Sequence, residues 1–283
     1  MRHFLIITNA YKDKGLKLTH ELIGYICKKG GTAKYLLSDI HHDLSNHMDQ
    51  ASVPSDTDCI MVIGGDGTLI RAATKAEILQ IPMIGVNLGT LGYLCEVEAS
   101  TVFHAVDRLM AGDFVKEDRM MLTGYKHRQE EERVALNDIV IHRTADLSIL
   151  SLLVYVNGEL LNTYHADGII VATPTGSTAY NMSAGGPIVD PKAKMILLTP
   201  INAHNLNSKS IVLDANDIIE IQIGTRRAER DEEACVSFDG DKVEQLAVGD
   251  RFVISQAQNV ATICKLSNKS FLELLRKKME SYT

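Results

Sequence analysis

Cys59-Ile60-Met61-Val62-Ile63-Gly64-Gly65-Asp66-Gly67-Thr68 decides the fold class. Five consecutive apolar residues run into a glycine cluster, and residues 68–79 then carry apolar side chains at helical spacing. The stretch reads as a buried strand, a tight turn and a helix. The same alternation extends to both sides of it. Residues 4–7 form an apolar strand, and 16–29 place Leu18, Leu22, Ile23 and Ile26 on one helical face before Gly30-Gly31 stops them. Residues 32–37 and 83–86 return as strands, and 102–110 as a helix. Continuous apolar strands separated by helices indicate a parallel sheet covered on both faces.

From about residue 125 to 266 the pattern changes to strands without long helices between them. Residues 149–156, Asn157-Gly158 and 159–164 form a hairpin, because Asn-Gly supplies the positive φ angles of a type I′ turn. A second hairpin is expected from 211–213, a turn at 214–217 and 218–223, and a third from 236–238, Asp239-Gly240 and 242–246. Strands at 251–255 and 261–266 complete an all-β region, best read as a sandwich. The end is helical, with Ser270 and Glu273 as a capping box and Phe271, Leu274, Leu275 and Met279 on one face. The expected fold is therefore α/β plus all-β. An α/β domain over residues 1–118, rejoined by a C-terminal helix in 267–283, accompanies a β-sandwich domain over 119–266.

The length of 283 residues agrees with two domains at about 150 residues each. Apolar residues at 45% and charged residues at 23% exclude a disordered or fibrous chain. A net charge of −7, from 29 Lys and Arg against 36 Asp and Glu, argues against a grip on nucleic acid or an anionic membrane. A local basic pocket for phosphate is compatible with it. Five widely spaced cysteines without a Cys-x-x-Cys pair suit a reducing compartment. Residues 4–7 are too short a run for a signal-peptide core, and no segment approaches the ~20 apolar residues of a membrane helix, so a cytoplasmic location is expected. The polar stretch 38–58, with His41, His42 and His47, lacks regular ligand spacing and reads as a solvated connection rather than a metal site.

The glycine cluster has chemical use. Glycines expose backbone N–H groups to phosphate oxygens, and the following helix offers its positive end. It is not a Walker loop, since no Gly-Lys-Ser/Thr follows. Polyphosphate repels a carboxylate in such a loop, so Asp66 should have a specific task, either holding Mg²⁺ or taking a proton from an attacking hydroxyl. The competing reading is that Asp66 caps the helix starting at Thr68. A second glycine set, Gly85, Gly89 and Gly92, follows the next strand. Tyr93 beside it suits stacking on a planar ligand or packing in the core. The third segment runs from Asp167-Gly168 through Thr173-Pro174-Thr175-Gly176-Ser177-Thr178-Ala179-Tyr180-Asn181-Met182-Ser183 to Gly185-Gly186-Pro187. Its dense small and hydroxyl residues make poor core and good ligand lining, which favours binding over an ordinary polar loop.

Taken with Leu136-Asn137-Asp138, these segments resemble the bacterial NAD kinase family over nearly the whole chain. The first motif is shared with lipid kinases and phosphofructokinases; the combination is specific. The resemblance implies an enzyme, a phosphotransferase that moves the terminal phosphate of ATP, or of other nucleotides or polyphosphate, to the adenosine-ribose 2′-hydroxyl of NAD, giving NADP. It implies Asp66 as general base, Gly67 beside NAD and Arg71 facing phosphate. Asn137 and Asp138 fall on the family's Asn-Glu pair, which hydrogen-bonds ribose hydroxyls; the acid here is shorter by one carbon–carbon bond of ~1.5 Å. Asp167 matches the residue that binds the nicotinamide carboxamide, and Thr178, Ala179, Tyr180, Asn181, Met182 and Ser183 match a stretch that wraps NAD. His165 stands where relatives often carry Arg, and Asp241 where they often carry Gln. Asn202 and His204 match a region that reaches a neighbouring subunit's site, implying a homodimer or homotetramer. Mg²⁺ carried with ATP is the implied divalent ion, with no dedicated metal-binding residues. The implied partners are small molecules, not nucleic acid or membrane. A lipid kinase would need an apolar acyl pocket, a phosphofructokinase-like enzyme would lack the hydroxyl-rich segment, and an NAD sensor would not need Asp66 beside a phosphate cradle.

Overall fold

The computed structural model describes residues 1–38, 53–89, 92–129, 131–144, 149–204, 208–225, 233–267 and 269–280, without the side chains of 76–79. His41, His42 and His47, and the Thr90-Leu91 part of the second glycine set, lie outside the described residues. The chain divides into two compact units, Met1–Asp118 with Val260–Thr283, and Arg119–Asn259.

In the first unit, β1 (His3–Thr8), α1 (Lys17–Lys28), β2 (Thr32–Leu37), β3 (Cys59–Gly64), α2 (Asp66–Leu79), β4 (Met83–Asn87), β5 (Val97–Glu98) and α3 (Val102–Ala111) follow in order. Every pairing among its strands is parallel. β1 lies between β2 and β3, and β4 lies beside β3, with Ile60 opposite Met83 and Gly64 opposite Asn87. The strand order and the crossover helices are what continuous apolar strands demand, since β3 and β4 are buried at every position. Their side chains meet Leu22 and Ile26 of α1 and Val102, Val106 and Leu109 of α3 in one core. β2 is the exposed edge, with only Ala33 and Leu36 partly covered.

The second unit continues with β6 (Val115–Lys126), β7 (Arg133–Ala135), β8 (Asp138–Arg143), β9 (Leu150–Val156), β10 (Glu159–Ala166), β11 (Gly168–Ala172), α4 (Tyr180–Ser183), β12 (Met195–Ile201), β13 (Ile211–Asp214), β14 (Ile219–Ile223), β15 (Ala234–Phe238), β16 (Asp241–Leu246) and β17 (Arg251–Lys265). A six-stranded antiparallel sheet runs β13-β12-β11-β8-β15-β16. A second sheet places β14 between β9 and β17, with β10 outside β9. Leu152, Val154, Ile219 and Ile221 of one sheet pack with Ile139, Ile169, Ile196 and Val236 of the other in a single core, which makes the unit a sandwich. Asn157 and Gly158 have φ of 52° and 83°, the two positive angles expected of the turn between β9 and β10. Asp239 and Gly240, at 50° and 91°, turn β15 into β16 in the same way.

Three local expectations change. Residues 211–223 are not a hairpin: β13 pairs with β12, whereas β14 pairs with β9 and β17 in the other sheet. The turn itself is present, with Asp214 N–H donating to Asp217 Oδ2 at 2.9 Å, but it carries the chain around a corner. Turn chemistry specifies a change of direction and leaves the strand's partner open. Residues 251–265 form one strand rather than two, because no Gly or Pro interrupts the polar stretch at its centre. Its last residues belong to the first unit, where Ile263 pairs with Met83. β6, twelve residues long, had no counterpart in the sequence reading.

α5 (Phe271–Glu280) is also in the first unit. Ser270 Oγ accepts Glu273 N–H at 3.2 Å as the expected cap. Of its apolar face Leu274 is buried, whereas Met279 is exposed. All five cysteines are free, and only Cys27 is exposed.

Candidate functional site

In the first unit the carboxyl ends of the parallel strands β1, β3 and β4 lie side by side, and the glycine-rich segments leave the sheet there, where open α/β sheets receive ligands. Packing demands Gly64 and Gly85, as it does Gly92 below. A Cβ on Gly64 would lie 2.5 Å from Thr68 Oγ1, and one on Gly85 2.4 Å from Cys95 Sγ. Gly67 differs. Nothing lies within 4 Å of the position its Cβ would take, so the missing side chain keeps space open at the start of α2.

Asp66, the first residue of α2, sends its carboxylate to the loop after β4. Oδ2 accepts the Tyr93 N–H at 2.7 Å, Oδ1 accepts the Cys95 N–H at 2.9 Å, and the Leu94 N–H lies 3.3 Å from both oxygens. Asp66 thus clamps residues 93–95 as well as opening its own helix. The loop passes so close that a Cβ on Gly92 would fall 1.9 Å from Oδ1.

Tyr93 packs rather than stands free. Its ring centroid is 6.4 Å from that of Phe271, and Lys278 Nζ sits 5.6 Å from its centre. Arg71 is exposed one turn into α2. Sequence reasoning missed Lys12. Its Nζ lies 3.3 Å from Gly64 O and would be 2.8 Å from a Cβ on Gly65, so an exposed ammonium rests on the glycine loop. Asn9 Oδ1 fixes the turn that delivers it by accepting the Tyr11 and Lys12 N–H groups. The signal available was a lysine soon after a strand, which is too common to single out.

In the second unit, Asn137 and Asp138 sit where β8 begins, against the turn that follows β11. Asp138 is 4% exposed. Burial pushes its carboxyl up to about 7, and the charge of Asp239 adds to the rise. Asp239 is itself pushed up to about 6 by burial, opposed by N–H bonds from residues 136–138, while Asp241 reinforces the rise. In the sequence Asp239 stands out only as a turn residue.

The 178–183 segment divides. Tyr180 is 46% exposed and Ser183 is exposed, while Thr178, Ala179 and Met182 are half-buried. Asn181 is buried; its Nδ2 donates to Pro187 O at 3.0 Å and its Oδ1 accepts the Thr199 hydroxyl at 2.7 Å, so it ties the segment down. Asp167 is held by Arg143 Nε at 3.2 Å and Asn202 Nδ2 at 3.0 Å. His204 is exposed and donates its N–H to His165 O at 2.8 Å. His165 Nδ1 is buried without a hydrogen-bond partner among the described residues. Asp138, Asp167, His165, Asn202 and His204 therefore belong to connected pieces of backbone, and Asp241, opposite Phe238 at the start of β16, adds its charge to the rise at Asp239.

The pattern of the ATP-NAD kinase N-terminal domain matches residues 31–114, and that of the C-terminal domain matches 136–266. An NAD kinase of Agathobacter rectalis is 65% identical over 283 residues, covering all of both chains. The chain belongs to the NAD kinase family. An NAD kinase of Lachnospira eligens is 40% identical, over 99% of this chain and 100% of that one. Among solved structures, yeast NADH kinase complexed with NADH aligns at a TM-score of 0.85 and 22% identity, over 99% of this chain and 88% of that one. An NAD kinase from Archaeoglobus fulgidus in complex with ATP aligns at 0.77 and 22%, over 99% of each. These two likenesses show that the chain shares their fold.

Proposed function

We infer that the protein transfers the terminal phosphate of ATP to the adenosine-ribose 2′-hydroxyl of NAD, making NADP. The observation that carries this is the full-length identity to an NAD kinase. The glycine loop with Asp66 is the part of the chain that bears on the chemistry. The N-terminal turn of α2, where Gly67 leaves space open, offers the positive end of the helix to phosphate oxygens. Lys12 and Arg71 supply positive charge from the same unit. Asp66, oriented by three backbone N–H groups, accepts the 2′-hydroxyl proton as the oxygen attacks in line. General-base assistance of this kind supplies ~10²–10⁴-fold, and positioning and electrostatics the larger remainder.

Among the described residues no three His, Cys, Asp or Glu side chains converge on a metal position. A magnesium ion entering with ATP would be held chiefly by phosphate oxygens and water and would neutralise phosphate charge. Asn137, Asp138, Asp167 and the exposed members of 178–183 take the NAD side of the reaction. A homodimer or homotetramer belongs to the same reading, with exposed Asn202 and His204 as the residues that reach a neighbouring subunit; light scattering tests it. The activity is tested by incubating the protein with NAD, ATP and Mg²⁺ and measuring NADP with an NADP-specific dehydrogenase. No NADP above a protein-free control overturns the reading. In the described residues no helix is long and apolar enough to cross a membrane.

A further inference from the structure

All six backbone polar groups of Leu136-Asn137-Asp138 are taken by just two residues. Asp239 accepts the three N–H groups, at 2.8 Å from Leu136, 2.7 Å from Asn137 and 3.1 Å from Asp138, and its own N–H donates to Asp138 O at 3.0 Å. Thr173 takes the other two carbonyls. Its hydroxyl donates to Leu136 O at 2.6 Å, and its N–H donates to Asn137 O at 2.8 Å. The same hydroxyl accepts the Gly176 N–H at 3.0 Å, tying the tripeptide to the turn that leads into 178–183. The two pieces are in direct contact, since a Cβ on Gly176 would lie 2.1 Å from Asn137 O. Thr173 is fully buried, so the bonds of its hydroxyl are made away from water, where an unmade one is costly.

We propose that Thr173 and Asp239 are positioning residues that fix the distance between Asn137 and the 178–183 segment, and through it the affinity for NAD. The proposal rests on NAD being the substrate. An arrangement that spends every backbone group of a tripeptide leaves its backbone little freedom to rotate, so the point from which the Asn137 side chain departs is fixed before binding. The phosphate loop lies in the other unit, so loosening the clasp acts on NAD and spares ATP.

Steady-state kinetics of Thr173→Val, Thr173→Ser and Asp239→Asn decide it, with both substrates varied. Thr173→Val keeps the shape and removes the hydroxyl; Thr173→Ser restores the hydroxyl. The expected result is a KM for NAD raised about tenfold or more in Thr173→Val and Asp239→Asn. KM for ATP should stay within about twofold, and Thr173→Ser should stay near the parent. An unchanged KM for NAD, or equal rises for NAD and ATP, overturns the proposal. So does misfolding of both Thr173→Val and Asp239→Asn in thermal melts, because the role is then general support. If the parent protein makes no NADP, the kinase reading fails. Calorimetric titration of the same variants with NAD then decides the clasp, and equal affinities in parent and variants overturn it.

Discussion

Gly92→Ala is the sharpest probe of the glycine loop. The added Cβ would lie 1.9 Å from Asp66 Oδ1 and 2.2 Å from both Cγ and Oδ2, and the carboxylate has no free rotamer because three N–H groups hold it. Non-bonded atoms sit best near ~3.5 Å, so the loop and the carboxylate must separate by roughly 1.5 Å. That opens the 2.7 Å and 2.9 Å bonds beyond hydrogen-bonding range. Each bond to a charged acceptor is worth ~1.5–3 kcal/mol, and partial relaxation recovers some of it, leaving a net loss of ~3 kcal/mol. At roughly 2–4 °C per kcal/mol the melting temperature falls by on the order of 10 °C. Turnover falls ~100-fold, because a displacement of about 1 Å at a positioned group costs that much. The control is Gly67→Ala, where open space surrounds the new methyl. It should leave the melting temperature nearly unchanged and still lower activity, because the methyl enters the space before α2. Calorimetric melts and NADP formation measure both variants. A Gly92→Ala protein with parental melting temperature and turnover would refute the clamp.

Other outcomes follow from the same geometry. Asp66→Asn should lose at least ~100-fold in turnover while calorimetry still detects NAD binding; near-parental turnover removes Asp66 from the base role. Asp138→Asn should stabilise the ligand-free protein at alkaline pH. The carboxyl moves from 3.8 unfolded to about 7 folded, so the folded state holds the proton more tightly, and stability falls as pH rises between those values. At ~1.4 kcal/mol per pH unit the penalty is bounded near ~4 kcal/mol, and the gain in melting temperature should be larger at pH 8 than at pH 5; the reverse order contradicts it. Glu96→Ala should cost ~3–5 kcal/mol in urea denaturation. Glu96 pairs with Lys265 at 3.1 Å, with both side chains mostly buried, and also accepts the Ser267 hydroxyl at 2.7 Å. Lys12→Ala should raise KM for ATP roughly tenfold and leave KM for NAD alone; an unchanged KM for ATP removes Lys12 from the phosphate side.

The first unit was legible because its strands are buried on both faces and its helices on one. Leu22 and Ile26 of α1 and the wholly apolar β3 could take no other arrangement. Asn157-Gly158 and Asp239-Gly240 were legible because few residue pairs tolerate two positive φ angles. The roles of Lys12 and Asp239 were hidden by distance. The lysine meets a carbonyl 52 residues away, and the Asp239 carboxylate meets N–H groups 101 to 103 residues away. No local pattern encodes such a meeting. The second task of Asp66 was hidden in the same way, since its acceptors' partners lie 27 to 29 residues on.

The corner at Asp214–Asp217 also governs how the second unit assembles. A chain that turned back on itself there could zip up in microseconds from neighbouring residues alone. Instead Ile219 must find Val156 on one side and Ile254 on the other, closing loops that involve most of the unit before β14 gains either neighbour. The β9–β10 ribbon can form early, and β14 arrives late as the strand that joins it to β17. Weakening β14 should therefore speed unfolding while leaving the refolding rate nearly unchanged.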